Sequence, residues 1–266
     1  MMKALFLIAA PFAAVLFAAT PATAQSVFDG TWKADTSTAQ FGGKPMVRTL
    51  KSGKYSCVSC PEPWTIAADG AFHPIKGDPY TDDVSVTVID PMTVKFSYRK
   101  AGKVNGDEIW TVSPDKTMVT MKGEDSSAGN GTPVTYETQQ TRLAPAAADA
   151  HAISGSWRGK SGGTVSDSGL MVTMKTEGDN LTMTYPTGES VTARFGGPAM
   201  AMANDPGKSM VKFARNGPSS FVSTMMRDGK VVSVTTVTVK PDGRTLTYSN
   251  ESKRTGSTAQ FTATKQ

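Results

Sequence analysis

The sequence predicts an all-β protein built as two tandem antiparallel meander β-barrels, with β-sandwiches as the alternative. Three observations predict this class: apolar residues alternate with a period of two, turn residues recur at short intervals, and part of the chain is repeated. The composition agrees, because 38% hydrophobic and 19% charged residues are more typical of a Thr- and Gly-rich β protein than of a helical bundle or a disordered chain.

The first 24 residues have the three parts of an export signal. Lys3 supplies the positive charge, residues 4–19 form the apolar stretch, and Ala22 and Ala24 frame a small-x-small cleavage site. The alternative is an N-terminal anchor helix, which the short, proline-interrupted apolar stretch disfavours. We therefore expect a soluble bacterial protein that is periplasmic or secreted. After cleavage of residues 1–24 we expect no membrane span, since no later run of 18 apolar residues follows.

The chain contains two copies of one module. The copies open with similar hexapeptides, FDGTWK at residues 28–33 and ISGSWR at residues 153–158. Later, residues 91–124 align without a gap to residues 218–251, at an offset of 127 positions. Ten of these 34 pairs are identical, whereas average residue usage would give roughly two. The sequence therefore indicates an internal duplication.

An Ala- and Pro-rich segment without apolar periodicity joins the copies at residues 144–152. Such a composition is typical of a linker or of one loose helical turn. We therefore expect the first β-barrel module at residues 26–143 and the second at residues 153–266.

Strands are indicated where apolar and polar residues alternate, most clearly at residues 84–88, 181–185 and 235–240. Turn residues separate such stretches, among them Asn-Gly at residues 105–106 and Asp-Gly at residues 228–229. We expect eight or nine strands per module. That many strands must close into a barrel or pair as a sandwich to remove their unpaired edges.

The Gly-x-Trp sequences at Trp32 and Trp157 resemble the first-strand signature of lipocalin-like (calycin-type) β-barrels. In that superfamily the Trp plugs the closed end of the barrel, and a basic residue near the end of the last strand packs across its ring. The resemblance implies that Arg142 and Lys265, which end the first and second modules, are the basic residues that pack across the Trp rings. Two such modules behind a leader also resemble exported bacterial proteins of unknown function. Both Trp residues are then core residues, and a ligand would enter at the opposite, open end.

The two cysteines, Cys57 and Cys60, lie in the first module as Cys-Val-Ser-Cys. Pro61 follows, which disfavours both a thioredoxin-type helix and covalent haem, since haem attachment requires a His at that position. A zinc site would have to recruit His73 or His151. A local disulfide is the favoured interpretation in an oxidising compartment and contributes roughly 2 kcal/mol. Metal binding and catalytic redox chemistry remain as alternatives.

Candidate ligand residues come from loops at the expected barrel mouth: His73, Tyr80, Met200 and Met202. Met-x-Met also suits Cu(I), but an apolar loop over the mouth is the favoured interpretation. The sequence contains no Gly-x-Ser-x-Gly elbow or phosphate-binding Gly loop, so we expect no enzyme activity, no metal and no cofactor.

The net charge of +5 is scattered among turns, which disfavours nucleic-acid binding. The sequence predicts no particular oligomeric state. The predicted function is the binding of a small apolar or amphipathic molecule in a barrel. The main alternative is a non-catalytic structural or interaction module of the cell envelope, and an enzyme that uses the polar cluster around His73 is the third hypothesis.

Overall fold

A computed structural model describes residues 26–266, so the predicted signal peptide at residues 1–24 lies outside the described residues. Within this range the all-β prediction is confirmed: twenty strands form two nearly closed antiparallel sheets of ten strands each. The one helix of the described range, α1 (Asp167–Leu170), is a single turn. None of the helical structure in residues 26–266 has the length and apolar character to cross a membrane.

Each copy of the module carries ten strands. The first ten are β1 (Gly30–Gly43), β2 (Met46–Lys51), β3 (Lys54–Cys57), β4 (Trp64–Ala67), β5 (Asp69–Pro74), β6 (Asp83–Asp90), β7 (Thr93–Lys100), β8 (Lys103–Val112), β9 (Met118–Asp125) and β10 (Val134–Ala144). The second ten are β11 (Gly155–Val165), β12 (Met171–Glu177), β13 (Asn180–Thr184), β14 (Ser190–Arg194), β15 (Met200–Ala201), β16 (Met210–Arg215), β17 (Ser220–Arg227), β18 (Lys230–Val239), β19 (Thr245–Ser252) and β20 (Ser257–Lys265). The count exceeds the expected eight or nine because strands as short as β4 and β15 are too brief to show an alternating pattern.

The two sheets exchange their first strands. One sheet, which we call barrel one, has the order β4-β3-β2-β11-β10-β9-β8-β7-β6-β5, and barrel two has the order β14-β13-β12-β1-β20-β19-β18-β17-β16-β15. Barrel one is therefore the continuous chain 46–165, and barrel two combines residues 30–43 with residues 171–265. The barrels do not coincide with the segments 26–143 and 153–266, because each segment gives its first strand to the other barrel.

The connection between β1 and β2 explains why β1 crosses to the other barrel. Lys44 and Pro45 alone separate these strands. The Lys44 N–H donates to the Gly256 carbonyl of barrel two over 2.9 Å, and Pro45 has no N–H to donate. A two-residue hairpin here would favour Asn-Gly or Gly-Gly, which tolerate positive φ. By contrast, residues 145–154 between β10 and β11 are long enough to return the chain to the same barrel.

Each sheet nearly closes on itself. In barrel one, Ala68 alone separates the edge strands β4 and β5, and its N–H donates to a carbonyl in the β2–β3 turn over 2.8 Å. In barrel two, isolated bridges join Ser190 to Ala203 and Phe195 to Phe213, which brings β14 against the far edge of the sheet. Closure of this kind removes most of the unpaired strand edges.

The predicted turns are partly correct. The Asp-Gly pair at residues 228–229 has φ values of 48° and 72° and forms the β17–β18 hairpin. Its counterpart in the first copy is the Ala-Gly pair at residues 101–102, with φ values of 49° and 79°. The prediction of a turn at residues 105–106 is wrong, because this Asn-Gly pair lies inside β8. Pairing with β7 and β9 overrides the local turn preference there.

Trp32 and Trp157 are fully buried, and each indole N–H donates to the carbonyl four residues before it, over 2.8 and 2.9 Å. The Arg142 guanidinium lies 4.0 Å from the centroid of Trp157, and Lys265 Nζ lies 5.4 Å from that of Trp32. Each basic residue thus covers the Trp of the other copy. The strand exchange is the reason, since it places the last strand of each copy beside the first strand of the other.

The glycines of the two Gly-x-Trp sequences are explained by these basic side chains. Gly30 and Gly155 have φ values of 127° and 124°, which L side chains rarely adopt. A Cβ at Gly30 would lie 2.5 Å from Lys265 Cε, and a Cβ at Gly155 would lie 2.7 Å from Arg142 Nη1. Each glycine therefore leaves space for the basic side chain that covers the indole.

Candidate functional site

The four residues predicted to contact a ligand lie in separate places. His73 lies on β5, where its Nε2 is 2.8 Å from Asp69 Oδ1. Met200 is exposed on β15, and Met202 packs against the core of barrel two. Tyr80 lines a cavity in barrel one. The structure does not bring the four together, and their role in ligand binding stays a prediction.

Tyr80 links the two barrels. Its hydroxyl donates to Asp205 Oδ1 over 2.8 Å and accepts from Arg227 Nη2 over 2.7 Å. Burial raises the pKa of the Tyr80 phenol, and the hydrogen bond to Asp205 raises it further. Burial also acts to raise the pKa of Asp205, but hydrogen bonds from Ser209, Tyr80 and Gly207 outweigh it and hold that pKa below its usual value. Tyr80 therefore acts mainly as an inter-barrel contact.

The interior of barrel one holds a cavity of about 220 Å³. A second cavity of about 250 Å³ adjoins it. Both are lined by Tyr98 and Glu108. The remaining wall of the first cavity is mostly aromatic and aliphatic: Tyr55, Trp64, Ile75, Val84, Phe96 and Trp110. Val86, Val94 and Val112 pack beyond this wall in the rest of the core. The cavity therefore occupies one part of the barrel and leaves the remainder solidly packed.

Arg48 on β2 is the cationic group of this cavity and is 2% exposed. Its guanidinium lies 4.1 Å from the centroid of Trp110 and 5.3 Å from that of Trp157. Nη2 donates to Gln140 Oε1 over 2.7 Å and Nε to the Ile153 carbonyl over 3.3 Å, which uses two of its five N–H donors. Burial lowers the pKa of Arg48 to about 10, so the group is still charged at neutral pH. The cavity therefore contains a desolvated cation with unused donors.

Glu108 on β8 is the buried carboxylate of this cavity, 7% exposed, and Asp78 also lines the cavity. Tyr98 donates to Oε1 of Glu108, and Tyr136 donates to its Oε2 over 2.8 Å. Burial raises the pKa of both phenols well above the usual value, and the Glu108 charge raises them further. The phenols therefore stay protonated and occupy both carboxylate oxygens. A carboxylate held in this way is poorly placed to accept a proton from a substrate.

Two buried polar atoms at the cavities have no hydrogen-bond partner among the described residues. Trp110 Nε1 is an unpaired donor in the wall of the first cavity. Asn105 Oδ1 is an unpaired acceptor, and Asn105 lines the second. Leaving such a group unsatisfied costs about 1–3 kcal/mol. A bound molecule with complementary polar atoms would remove that cost.

Barrel two has the same fold without the polar and aromatic residues that surround the cavity of barrel one. The register aligns Arg48 with Met174, because each pairs with the glycine of a Gly-x-Trp sequence, Gly155 and Gly30. The same comparison aligns Tyr98 with Met225, Glu108 with Thr235, Trp110 with Val237, Tyr136 with Ala259 and Gln140 with Ala263. Five of these six replacements are apolar. The charged and hydrogen-bonding cluster is therefore specific to barrel one.

Cys57 and Cys60 form the expected disulfide, with Cα atoms 5.4 Å apart. Both residues line the 220 Å³ cavity, at the loop that connects β3 to β4. The bond constrains this loop and so shapes one side of the cavity.

Sequence reasoning missed Arg48, Glu108 and Trp110. A signal for two of them was present, because in the aligned window Glu108 corresponds to Thr235 and Trp110 to Val237. Large polar or aromatic residues that differ between two copies of a module are candidates for function. Arg48 lies outside that window, and its equivalent is defined by strand pairing.

Comparisons of the chain with models of protein families, with curated proteins and with solved structures find no match. Within residues 26–266, no group of three or more His, Cys, Asp and Glu side chains is arranged to hold a metal ion.

Proposed function

We propose that the protein is a non-catalytic binding protein whose barrel one holds a small amphipathic molecule. The apolar part of the ligand contacts the aromatic wall, and an acceptor group, such as a carboxylate, contacts Arg48 and Trp110. The lipocalin-like resemblance is part of this proposal and is supported by the Gly-x-Trp sequences and the basic residues over both indoles.

The observation that carries the proposal is the contrast between the two barrels. Arg48 lines the cavity with two of its five donors in use, and Trp110 Nε1 has no partner among the described residues. Their equivalents Met174 and Val237 belong to a packed apolar core. A desolvated guanidinium is costly unless it is paired. A negatively charged or strongly accepting ligand group offsets that cost.

The size of the cavity limits the ligand. Pockets for drug-sized molecules measure roughly 300–1,000 Å³. At about 220 Å³ the cavity in barrel one is smaller. One aromatic or branched aliphatic group with a single acidic substituent matches this size.

The alternative function, a structural or interaction module of the cell envelope, is favoured by barrel two. At the equivalent positions it carries five apolar side chains and Thr235, with no charged group. We propose that barrel two supports barrel one. We also propose that the protein acts in the periplasm or outside the cell, which the leader sequence and the Cys57–Cys60 disulfide support.

The proposal is tested with benzoate as the probe, by titrating the full mature chain and following tryptophan fluorescence. Two of the four tryptophans, Trp64 and Trp110, line the cavity, so a bound aromatic acid changes their emission. Arg48→Met, which installs the residue of barrel two, should weaken binding by about 10- to 100-fold, since a hydrogen bond to a charged group contributes about 1.5–3 kcal/mol. Native mass spectrometry of protein purified from the periplasm should show a carried small acid.

Lys54→Met is the control, because it removes an exposed positive charge from the adjacent strand β3. It should leave binding unchanged. Arg48→Met should retain the fold, as replacement of a buried charge by an apolar side chain of similar volume is often neutral or stabilising. If both variants bind benzoate equally, or no small acid binds the native chain, the structural alternative is preferred.

A further inference from the structure

A larger cavity, of about 460 Å³, lies between the barrels where the two exchanged strands pass each other. β1 contributes Phe41 and β11 contributes Gly159, and a Cβ on Gly159 would lie 2.8 Å from Phe41 Cγ. The Phe41 ring therefore rests on the main chain of β11. We call this cavity the inter-barrel cleft. It exists because β1 and β11 have crossed, and it adjoins the cavity inside barrel one, since Met46 lines both.

The floor of the inter-barrel cleft is apolar and partly open to solvent. Phe41 and Met46 are 41% and 49% exposed. The other apolar side chains of the lining are Ala39, Pro45, Met121, Trp157, Val165 and Ala259. Apolar surface of this kind at a concave site is typical of ligand pockets.

The charged residues that line the inter-barrel cleft are all cationic. They are Lys44, Arg158 and Lys160, and no Asp or Glu is among its described lining residues. Arg158 Nη2 donates to the Gly43 carbonyl over 2.8 Å, but its Nε is buried without a partner among the described residues. Lys160 Nζ reaches the neutral Gln139 Oε1 over 3.2 Å. The cleft therefore has positive charge that no lining carboxylate balances.

The duplicated position shows that this imbalance is particular to the cleft. Arg158 pairs with Thr141 near the end of β10, and Lys33 pairs with Thr264 near the end of β20. Strand pairing therefore aligns Arg158 with Lys33. Lys33 forms a salt bridge with Asp167 Oδ1 over 2.7 Å. Arg158 has no such carboxylate in the cleft.

We propose that the inter-barrel cleft binds a free single-chain amphipathic anion, with its hydrocarbon chain on the Phe41 and Met46 floor and its carboxylate between Arg158 and Lys160. A carboxylate accepts hydrogen bonds from a guanidinium in the preferred geometry and satisfies the unpaired Arg158 Nε. The cleft neighbours the proposed site in barrel one and shares Met46 with it, but its cationic residues, Lys44, Arg158 and Lys160, do not line that cavity. It takes a longer ligand, as its volume lies within the range of pockets for drug-sized molecules.

The test is calorimetric titration of the full mature chain with dodecanoate below its micellar concentration. Native protein should bind it at one site, and 1-dodecanol, which has the same chain length and no charge, should bind at least tenfold more weakly. Arg158→Gln and the exposed Lys160→Gln should each weaken dodecanoate binding at least tenfold. Lys33→Gln is the matched control and should leave dodecanoate binding unchanged.

Three results would overturn the proposal: dodecanol binds as tightly as dodecanoate, the two cleft variants bind dodecanoate like the native chain, or the protein sediments with anionic phospholipid vesicles but does not bind dodecanoate. Circular dichroism of each variant verifies folding. If Arg158→Gln is unfolded, Lys160→Gln alone decides the outcome, because its side chain is exposed and its substitution leaves the hydrogen bond between Arg158 and Gly43 in place. If the native chain binds dodecanoate but does not bind benzoate, the barrel-one proposal alone is refuted.

Discussion

Replacing Arg142 by Ala should destabilise barrel one far more than replacing Lys265 by Ala destabilises barrel two. The two residues occupy equivalent positions, each over a buried indole. Arg142 also donates three hydrogen bonds to carbonyls: Nε to Lys116 over 2.5 Å, Nη1 to Ser154 over 2.6 Å and Nη2 to Ala152 over 2.6 Å. Lys265 Nζ makes no side-chain hydrogen bond with the described part of the chain.

The expected difference follows from these contacts. A partly exposed, charge-assisted hydrogen bond contributes about 1 kcal/mol, so the three bonds of Arg142 contribute about 3 kcal/mol. The cation over the indole adds about 0.5–1 kcal/mol, more at 4.0 Å than at 5.4 Å. Arg142→Ala should therefore cost about 3–4 kcal/mol and Lys265→Ala less than about 1 kcal/mol. Arg142→Lys should fall between them, since it keeps the charge and loses the forked donors.

Equilibrium unfolding in urea, followed by tryptophan fluorescence, measures these changes. Three of the four tryptophans, Trp64, Trp110 and Trp157, lie in barrel one, so the signal reports mainly on that barrel. A loss of 3 kcal/mol corresponds to a midpoint shift of roughly 1–3 M urea. Barrel two contains only one of the four tryptophans, Trp32, so the unfolding of the Lys265→Ala variant is followed by circular dichroism instead of fluorescence. Equal losses of stability for the two Ala variants would refute the assignment of the difference to the carbonyl hydrogen bonds.

Three further predictions concern the architecture. The fragment 46–165 contains a complete barrel, so circular dichroism should show that it unfolds cooperatively. The fragment 26–143 lacks β11 and should not unfold cooperatively. Cooperative unfolding of both fragments would argue against the strand exchange. The folded-state pKa of Asp205 lies below its usual value, so its link to Tyr80 should stabilise the protein above about pH 4 and be lost as the pH falls through that lowered pKa. Limited proteolysis between the barrels should then increase in acid, and Asp205→Asn should abolish this dependence on pH. Alkylation of unfolded, unreduced protein should label neither Cys57 nor Cys60, and replacing both by Ser should cost about 2 kcal/mol; a labelled thiol would contradict the disulfide.

The candidate site was less predictable than the fold. The loop residues His73 and Met200 were candidates because of their position in the chain, but the structure places them apart on surface strands. Arg48 resembled any exposed strand residue in the sequence, and its burial against Trp110 depends on pairing between β2 and β11, which are more than a hundred residues apart. A one-dimensional pattern carries no information about such a contact.

The sequence alone determined the fold class and the duplication, because these follow from local alternation, turn chemistry and repeated motifs. The residues over the indoles were implied by the resemblance to lipocalin-like barrels. The tertiary structure decided which copy supplies each first strand. Both copies begin with a similar Gly-x-Trp strand, and the two connections differ in length, the short Lys44-Pro45 connection and the longer segment 145–154. The same choice sets Arg142 over Trp157 and creates the inter-barrel cleft, neither of which exists until the two strands have crossed.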